Sequence, residues 1–251
     1  MTVPGSASNI RPRDAWRWRG GPSFTVPDGS RIRLDRADLD VSQPWSCTFV
    51  ARISGTPHGF TVAETGAFEW HVTYPMAGAE VTRTSYAGGE LLVARRRDPA
   101  EFRAAWRGRW FELHRSQAGP VPAADGIIRV FDALRLTDTP EGMLVRPRQP
   151  GRVHIEPFRV AKRLPGVGQL RIELPGRAEV TVPRFRGHRA RHGEIWRRPL
   201  VGGAAGRARA ESLVLATPTA VAQLIPGPHD TPDADAALGF LEELNVTWRD
   251  S

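Results

Sequence analysis

The stretch FEWHVTYPMAGAEVTRTSYAGGELLVAR, Phe68–Arg95, decides the fold. Its first seven residues alternate: Phe68, Trp70, Val72 and Tyr74 fall on one face of an extended chain, and Glu69, His71 and Thr73 fall on the other. That period of two predicts a half-buried strand whose aromatic face is core. The remainder predicts a hairpin. Val81–Tyr86 and Glu90–Arg95 flank an Ala87, Gly88, Gly89 turn, where glycine supplies the positive φ a tight turn requires.

Outward from this stretch the pattern repeats. Toward the N-terminus, Phe24, a turn at Pro27–Gly29, Ile32 and Leu34, and a run from Cys47 to Ile53 read as strands. Asp98 and Pro99 resemble a helix start, which predicts a short helix ending near Gly108 with Arg103, Trp106, Arg107, Arg109 and Trp110 on it. Further on, Ile127–Leu136, Met143–Arg146 and Val153–Val160 read as strands, and Leu170, Ile172 and Leu174 lead through Pro175-Gly176 into a return at Val180 and Val182. Thr217-Pro218 and Thr231-Pro232 each open a predicted helix, to Ile225 and Asn245, before Val246–Trp248 returns to strand.

These elements give an all-β class: two antiparallel β-sandwich or jelly-roll-like domains with short helices and a helical C-terminal segment. The Pro- and Ala-rich residues 119–125 are the expected linker, dividing 1–118 from 126–251. The chain has 251 residues, 40% of them hydrophobic, enough to build real cores. No apolar leader or 18-residue apolar run occurs, so no signal peptide and no membrane insertion are expected. Cys47 is the only cysteine, which excludes an intramolecular disulfide and points to a reducing cytoplasm.

The formal charge is +8 and the isoelectric point about 11.0, carried almost wholly by arginine because Lys162 is the only lysine. The densest basic segment holds Arg184, Arg186, Arg189, Arg191, Arg197 and Arg198 with Phe185 and Trp196 among them. Guanidinium groups beside aromatic faces suit a polyanion or a charged partner surface, so Arg184, Arg186, Arg189, Arg191, Trp196, Arg197 and Arg198 are the candidate binding residues. His188, His192 and Glu194 have near-ligand spacing, but the surrounding arginines repel a divalent cation, so no metal is expected.

No catalytic signature stands out. There is no Gly-x-Ser-x-Gly elbow and no Walker loop, so no catalytic residue and no cofactor are assigned. Enzymatic use would fall to polar-face groups such as Glu64, Glu69, His71 or His154.

The segment Arg31–Ser54 resembles an opening found in tail proteins of long-tailed actinobacterial phages. There, as with Ile32, Leu34 and Asp35 followed by Pro44, Trp45 and Cys47–Ile53, a strand ending in Asp is followed by Pro, an aromatic residue and another strand. The resemblance implies a non-enzymatic building block of a tail tip or baseplate, acting through protein partners in an oligomer and located in the virion. Nucleic-acid binding ranks below protein contacts. The alternatives are a carbohydrate-binding jelly roll using tryptophan platforms and an enzyme on a β-scaffold.

Overall fold

The computed structural model describes residues 22–37, 39–40, 43–97, 101–118, 122–178, 182–199, 211–226 and 234–250. The chain is all-β and sandwich-like, with three short helices among the described residues. Its first strands are β1 (Ser23–Thr25), β2 (Arg31–Asp35), β3 (Trp45–Ile53) and β4 (Thr56–Glu64), followed by helix α1 (Ala67–Thr73). Next come β5 (Glu80–Tyr86), β6 (Gly89–Arg96), β7 (Glu101–Arg107) and β8 (Phe111–Ala118), then α2 (Ala124–Asp132). The β9 (Leu134–Thr139) and β10 (Gly142–Pro147) ribbon follows, then β11 (Val153–Ile155), and then the β12 (Arg159–Leu164) and β13 (Gly168–Glu173) ribbon. The chain continues through β14 (His188–Ala190), β15 (Gly193–Pro199), β16 (Glu211–Ala216), β17 (Val221–Ile225), α3 (Ala234–Glu243) and β18 (Asn245–Arg249).

Among the described residues thirteen strands form one antiparallel sheet in the order β14-β15-β16-β17-β13-β12-β3-β4-β8-β7-β6-β5, with β11 also on β3. Strand β3 pairs first with β12 and then with β11, and the excursion Glu156-Pro157-Phe158 between them sets three residues against Phe49 and Val50. Pro157 has no N–H to offer a ladder, which suits it to such a bulge. Sheet and core draw on both sides of residues 119–125: β3 pairs with β12, and α2 starts at Ala124.

The main core lies on one face of this sheet. Phe24, Ile32 and Leu34, Val246 and Trp248 from the β1-β2-β18 sheet, Met143 and Val145 from β10, Phe131 of α2 and Leu241 of α3 pack there on Trp45, Phe49, Phe60, Phe111 and Leu113. Phe24 stacks on Trp45 at 5.6 Å between ring centroids and meets Phe111 edge-on at 6.1 Å. A smaller core of Phe68, Met76, Leu92, Ala94 and Ala105 lies under α1 on the opposite face.

The β5-β6 hairpin forms as the sequence predicts, with Tyr86 opposite Gly89. The two positive-φ residues are Ala87 (φ 49) and Gly88 (φ 78), a type I′ pair. Gly89 has a different reason to be glycine: a Cβ there would lie 2.2 Å from the Arg107 carbonyl oxygen.

Several elements differ from the sequence expectation. Phe68–Thr73 is helix, not strand: Phe68 alone is buried while Trp70 and Tyr74 are exposed, because the amides of Gly66 and Phe68 find an acceptor that the alternation cannot reveal. Arg103, Trp106 and Arg107 lie on strand β7 instead of a helix, since β6 and β8 pair with it on both sides; Asp98 and Pro99 lie outside the described residues. Ile127–Asp132 is helical within α2, and only Leu134 onward is strand. Thr217 accepts from the N–H groups of Thr219 and Ala220 in a turn and no helix follows, for Val221–Ile225 pairs with β13 and β16. Strand β13 takes β12 and β17 as its two neighbours, so Leu170–Glu173 does not form a hairpin with Val180 and Val182; residues 179–181 lie outside the described residues. Helix α3 and the return strand β18 form where expected, while Thr231-Pro232 lies outside the described residues.

Candidate functional site

The basic segment occupies one end of the large sheet. Arg189 lies on β14, Arg191 in the turn and Arg197 on β15, all exposed, as are Arg184 and Arg186 ahead of β14; Arg198 is half-buried. Trp196 corrects the expectation. It is 7% exposed, its indole N–H donates to the Phe185 carbonyl at 3.0 Å, and Gly187 lies over its ring, so it offers no stacking face. The exposed ring is Phe185. The ligand-spaced trio is not assembled either: His188 reaches Glu242 of α3 at 2.5 Å, and Glu194 accepts from the Gly187 amide at 3.0 Å. Helix α3 thereby leans on β14, and Arg191 donates its amide to the Glu242 carbonyl.

A second polar constellation lies under α1. Glu112, fully buried, accepts from the amides of Gly66 (3.0 Å) and Phe68 (2.8 Å) and from Arg107 Nε (2.6 Å), and its Oε2 lies 2.9 Å from His114 Nε2. Burial alone would raise its pKa, but His114, Arg107 and the Gly66 amide hold the carboxyl below its usual value. Glu69 and His71, expected on a strand, are on α1. Glu69 pairs with Arg107 at 2.5 Å and with Arg83 at 3.4 Å. Burial, Arg103 and His114 push His71 down to about 4, so it is neutral at pH 7. Every carboxylate here is engaged by a guanidinium or an amide, an arrangement that fixes α1 on the sheet. His154 lies exposed on β11, away from both constellations.

Glu64 and Lys162 form a third. Both point into the main core, 7% and 1% exposed. Lys162 Nζ donates to the Gln43 carbonyl and stands 4.7 Å from the centre of the Trp45 ring. Burial raises Glu64 to about 7 against the opposing pull of Lys162, and burial lowers Lys162 to about 8. Glu64 Oε1 has no hydrogen-bond partner among the described residues, which favours the neutral acid. Cys47, also buried, has its thiol pKa pushed up by burial and by Asp28, which makes it inert. Among the described residues no group of three or more His, Cys, Asp or Glu side chains is placed to hold a metal ion.

The opposite end of the sheet carries a feature the sequence reading missed. Among the described residues strand β5 is the terminal strand, seven residues long, with exposed side chains from Thr82 to Ser85. A two-residue turn makes the closing pair Tyr86·Gly89 hydrogen-bonded, and such pairs alternate in an antiparallel ladder. Glu80, Thr82, Thr84 and Tyr86 therefore bond to β6, and Val81, Arg83 and Ser85 direct their amides and carbonyls to the open side. The side chains of Val81 and Arg83 face α1, where with Phe68, Glu69, Val72 and Thr73 they line a groove of about 430 Å³. Trp70 and Tyr74 stand exposed on α1, their rings 5.6 Å apart and inclined at 47°. That inclination does not make the coplanar platform a sugar-binding sheet requires. The signal for this site was present in the alternation of residues 80–86, but only the pairing of β6 to β7 shows that β5 is left at the edge.

Comparison with protein-family models, with curated proteins and with solved structures finds no match for this chain. Among the described residues no helix is long and apolar enough to cross a membrane.

Proposed function

We propose that this chain is a non-enzymatic building block that acts through protein contacts in an oligomeric assembly, and that a tail or baseplate component of a long-tailed phage is the most concrete form of that role. The observation that carries the reading is the edge of β5, which no strand among the described residues covers. Folded proteins blunt exposed edges with prolines, bulges, short length or charge, because an unpaired row of N–H and C=O groups recruits another strand. Strand β5 has none of the first three over seven residues, and Arg83 is the one charge between its ends. The buried ion network under α1 supports the same reading, since it fixes a helix and leaves no uncommitted carboxylate for chemistry.

Light scattering of the full chain across protein concentration tests the proposal. It requires a discrete oligomer that Arg83→Pro dissociates; Pro at this position removes an outward N–H and leaves the β5-β6 ladder intact.

A further inference from the structure

The edge of β5 and the groove beside it have the parts of a strand-capture site: a free backbone row, and an apolar cleft positioned to take alternate side chains of an added strand. The cleft is lined by Phe68, Val72 and Val81, with Glu69 and Arg83 paired at its rim. On the other face of β5 stand Glu80, Thr82 and Thr84, all exposed, and Glu80 has no cationic partner within ion-pair distance among the described residues. A fitting occupant therefore alternates bulky apolar side chains, toward α1, with cationic ones, toward Glu80.

The chain itself contains that pattern. Ala15-Trp16-Arg17-Trp18-Arg19 puts two tryptophans at one parity and two arginines at the other. These residues lie ahead of β1, outside the described residues. We propose that the Asp14–Arg19 stretch of a second copy adds to the open edge of β5, with Trp16 or Trp18 in the groove between α1 and β5. This deepens the assembly reading, on which it rests, by naming the segment that joins neighbouring copies.

Reach favours a second copy over the same one. Phe24 of β1 packs against Phe111, so β1 lies over β8, and the open side of β5 is four strand spacings away, about 19 Å. The five steps from Trp18 to Ser23 span at most about 18 Å when fully extended, and β1 is a further sheet-to-sheet layer of about 10 Å above. The tether is too short to close on its own edge.

The experiment uses the full chain, its Trp16→Ser/Trp18→Ser variant, and a fluorescein-labelled synthetic peptide with the sequence of residues 10–21. The double variant is expected to fall to protomer mass by light scattering and to bind the peptide saturably. Arg83→Pro and, separately, Val81→Asp introduced into that variant should each weaken peptide binding at least tenfold, with far-UV circular dichroism unchanged. Peptide binding that neither edge substitution alters would overturn the proposal. So would a double variant that keeps the parent's oligomeric mass. If Arg83→Pro dissociates the parent while the tryptophan changes do not, β5 pairs with something other than this segment, and the assembly reading survives without it. A parent that is monomeric throughout and edges that take no peptide would end both.

Discussion

Two buried acids of this chain, Glu112 and Glu64, titrate in opposite directions, and the difference follows from what each one touches. Glu112 has two amides, a guanidinium and an imidazole around it, so its folded pKa is depressed. The stability it contributes is present above the ordinary carboxylate pKa and is lost as pH falls through the depressed value. Glu112→Ala leaves Arg107 Nε and the amides of Gly66 and Phe68 without their acceptor, while Arg107 keeps Glu69, and it should cost about 3 kcal/mol in urea denaturation. Burial of Glu64 in the core, with Oε1 unpartnered among the described residues, outweighs Lys162 and the Trp45 amide and raises its folded pKa to about 7. The native state then holds a proton the unfolded chain releases, and stability falls as pH rises from about 4.5 to 7, by roughly 3 kcal/mol. Lys162 pulls the Glu64 pKa down, so Lys162→Met should move the Glu64 titration, followed by carboxyl NMR, above 7. None of this was readable in the sequence. Glu64 reads there as a polar-face residue, and its burial beside the sole lysine depends on β3 bringing β4 and β12 to its two sides.

Elements were legible where a local pattern agreed with its surroundings. Leu238 and Leu241 share a helical face with Phe240 beside it, and α3 does bury Leu241 completely, as Leu244 is buried just past its end. Leu241→Ala should cost about 2–5 kcal/mol, read as a lowered denaturation midpoint with unchanged slope. The Val81–Arg95 hairpin likewise carries its own turn chemistry. Elements were misread where a tertiary partner decided the outcome. Phe68–Tyr74 alternates like a strand, yet its flanking glycine, Gly66 at φ 103, and the Glu112 carboxylate start a helix. Residues 101–107 follow a plausible helix start, yet two neighbouring strands need a third between them, and pairing outweighs a cap worth about 1 kcal/mol. Trp196 looks like a stacking platform in a list of arginines, and only the fold puts Gly187 and Phe185 over it.

On the scale of the whole molecule, the thirteen described strands of the large sheet leave two ends, and the two differ. At one end β14 is only three residues long and is held by α3 through His188–Glu242 and the Arg191 amide. At the other, β5 runs seven residues with its outward amides unpaired among the described residues and a groove at its side. The β character was plain from the alternation of apolar residues, but strand order was not, because thirteen strands with long-range pairings such as β3 with β12 leave no local trace in the sequence. The central claim is that β5 is an assembly edge. Its most direct test is the solution mass of the full chain and of its Arg83→Pro variant, by light scattering behind size exclusion over a hundredfold range of concentration. A discrete oligomer is expected for the parent, and protomer mass for the variant at equal helix and strand content. A parent that stays monomeric over the whole range, or an oligomer the variant leaves intact, would contradict that claim.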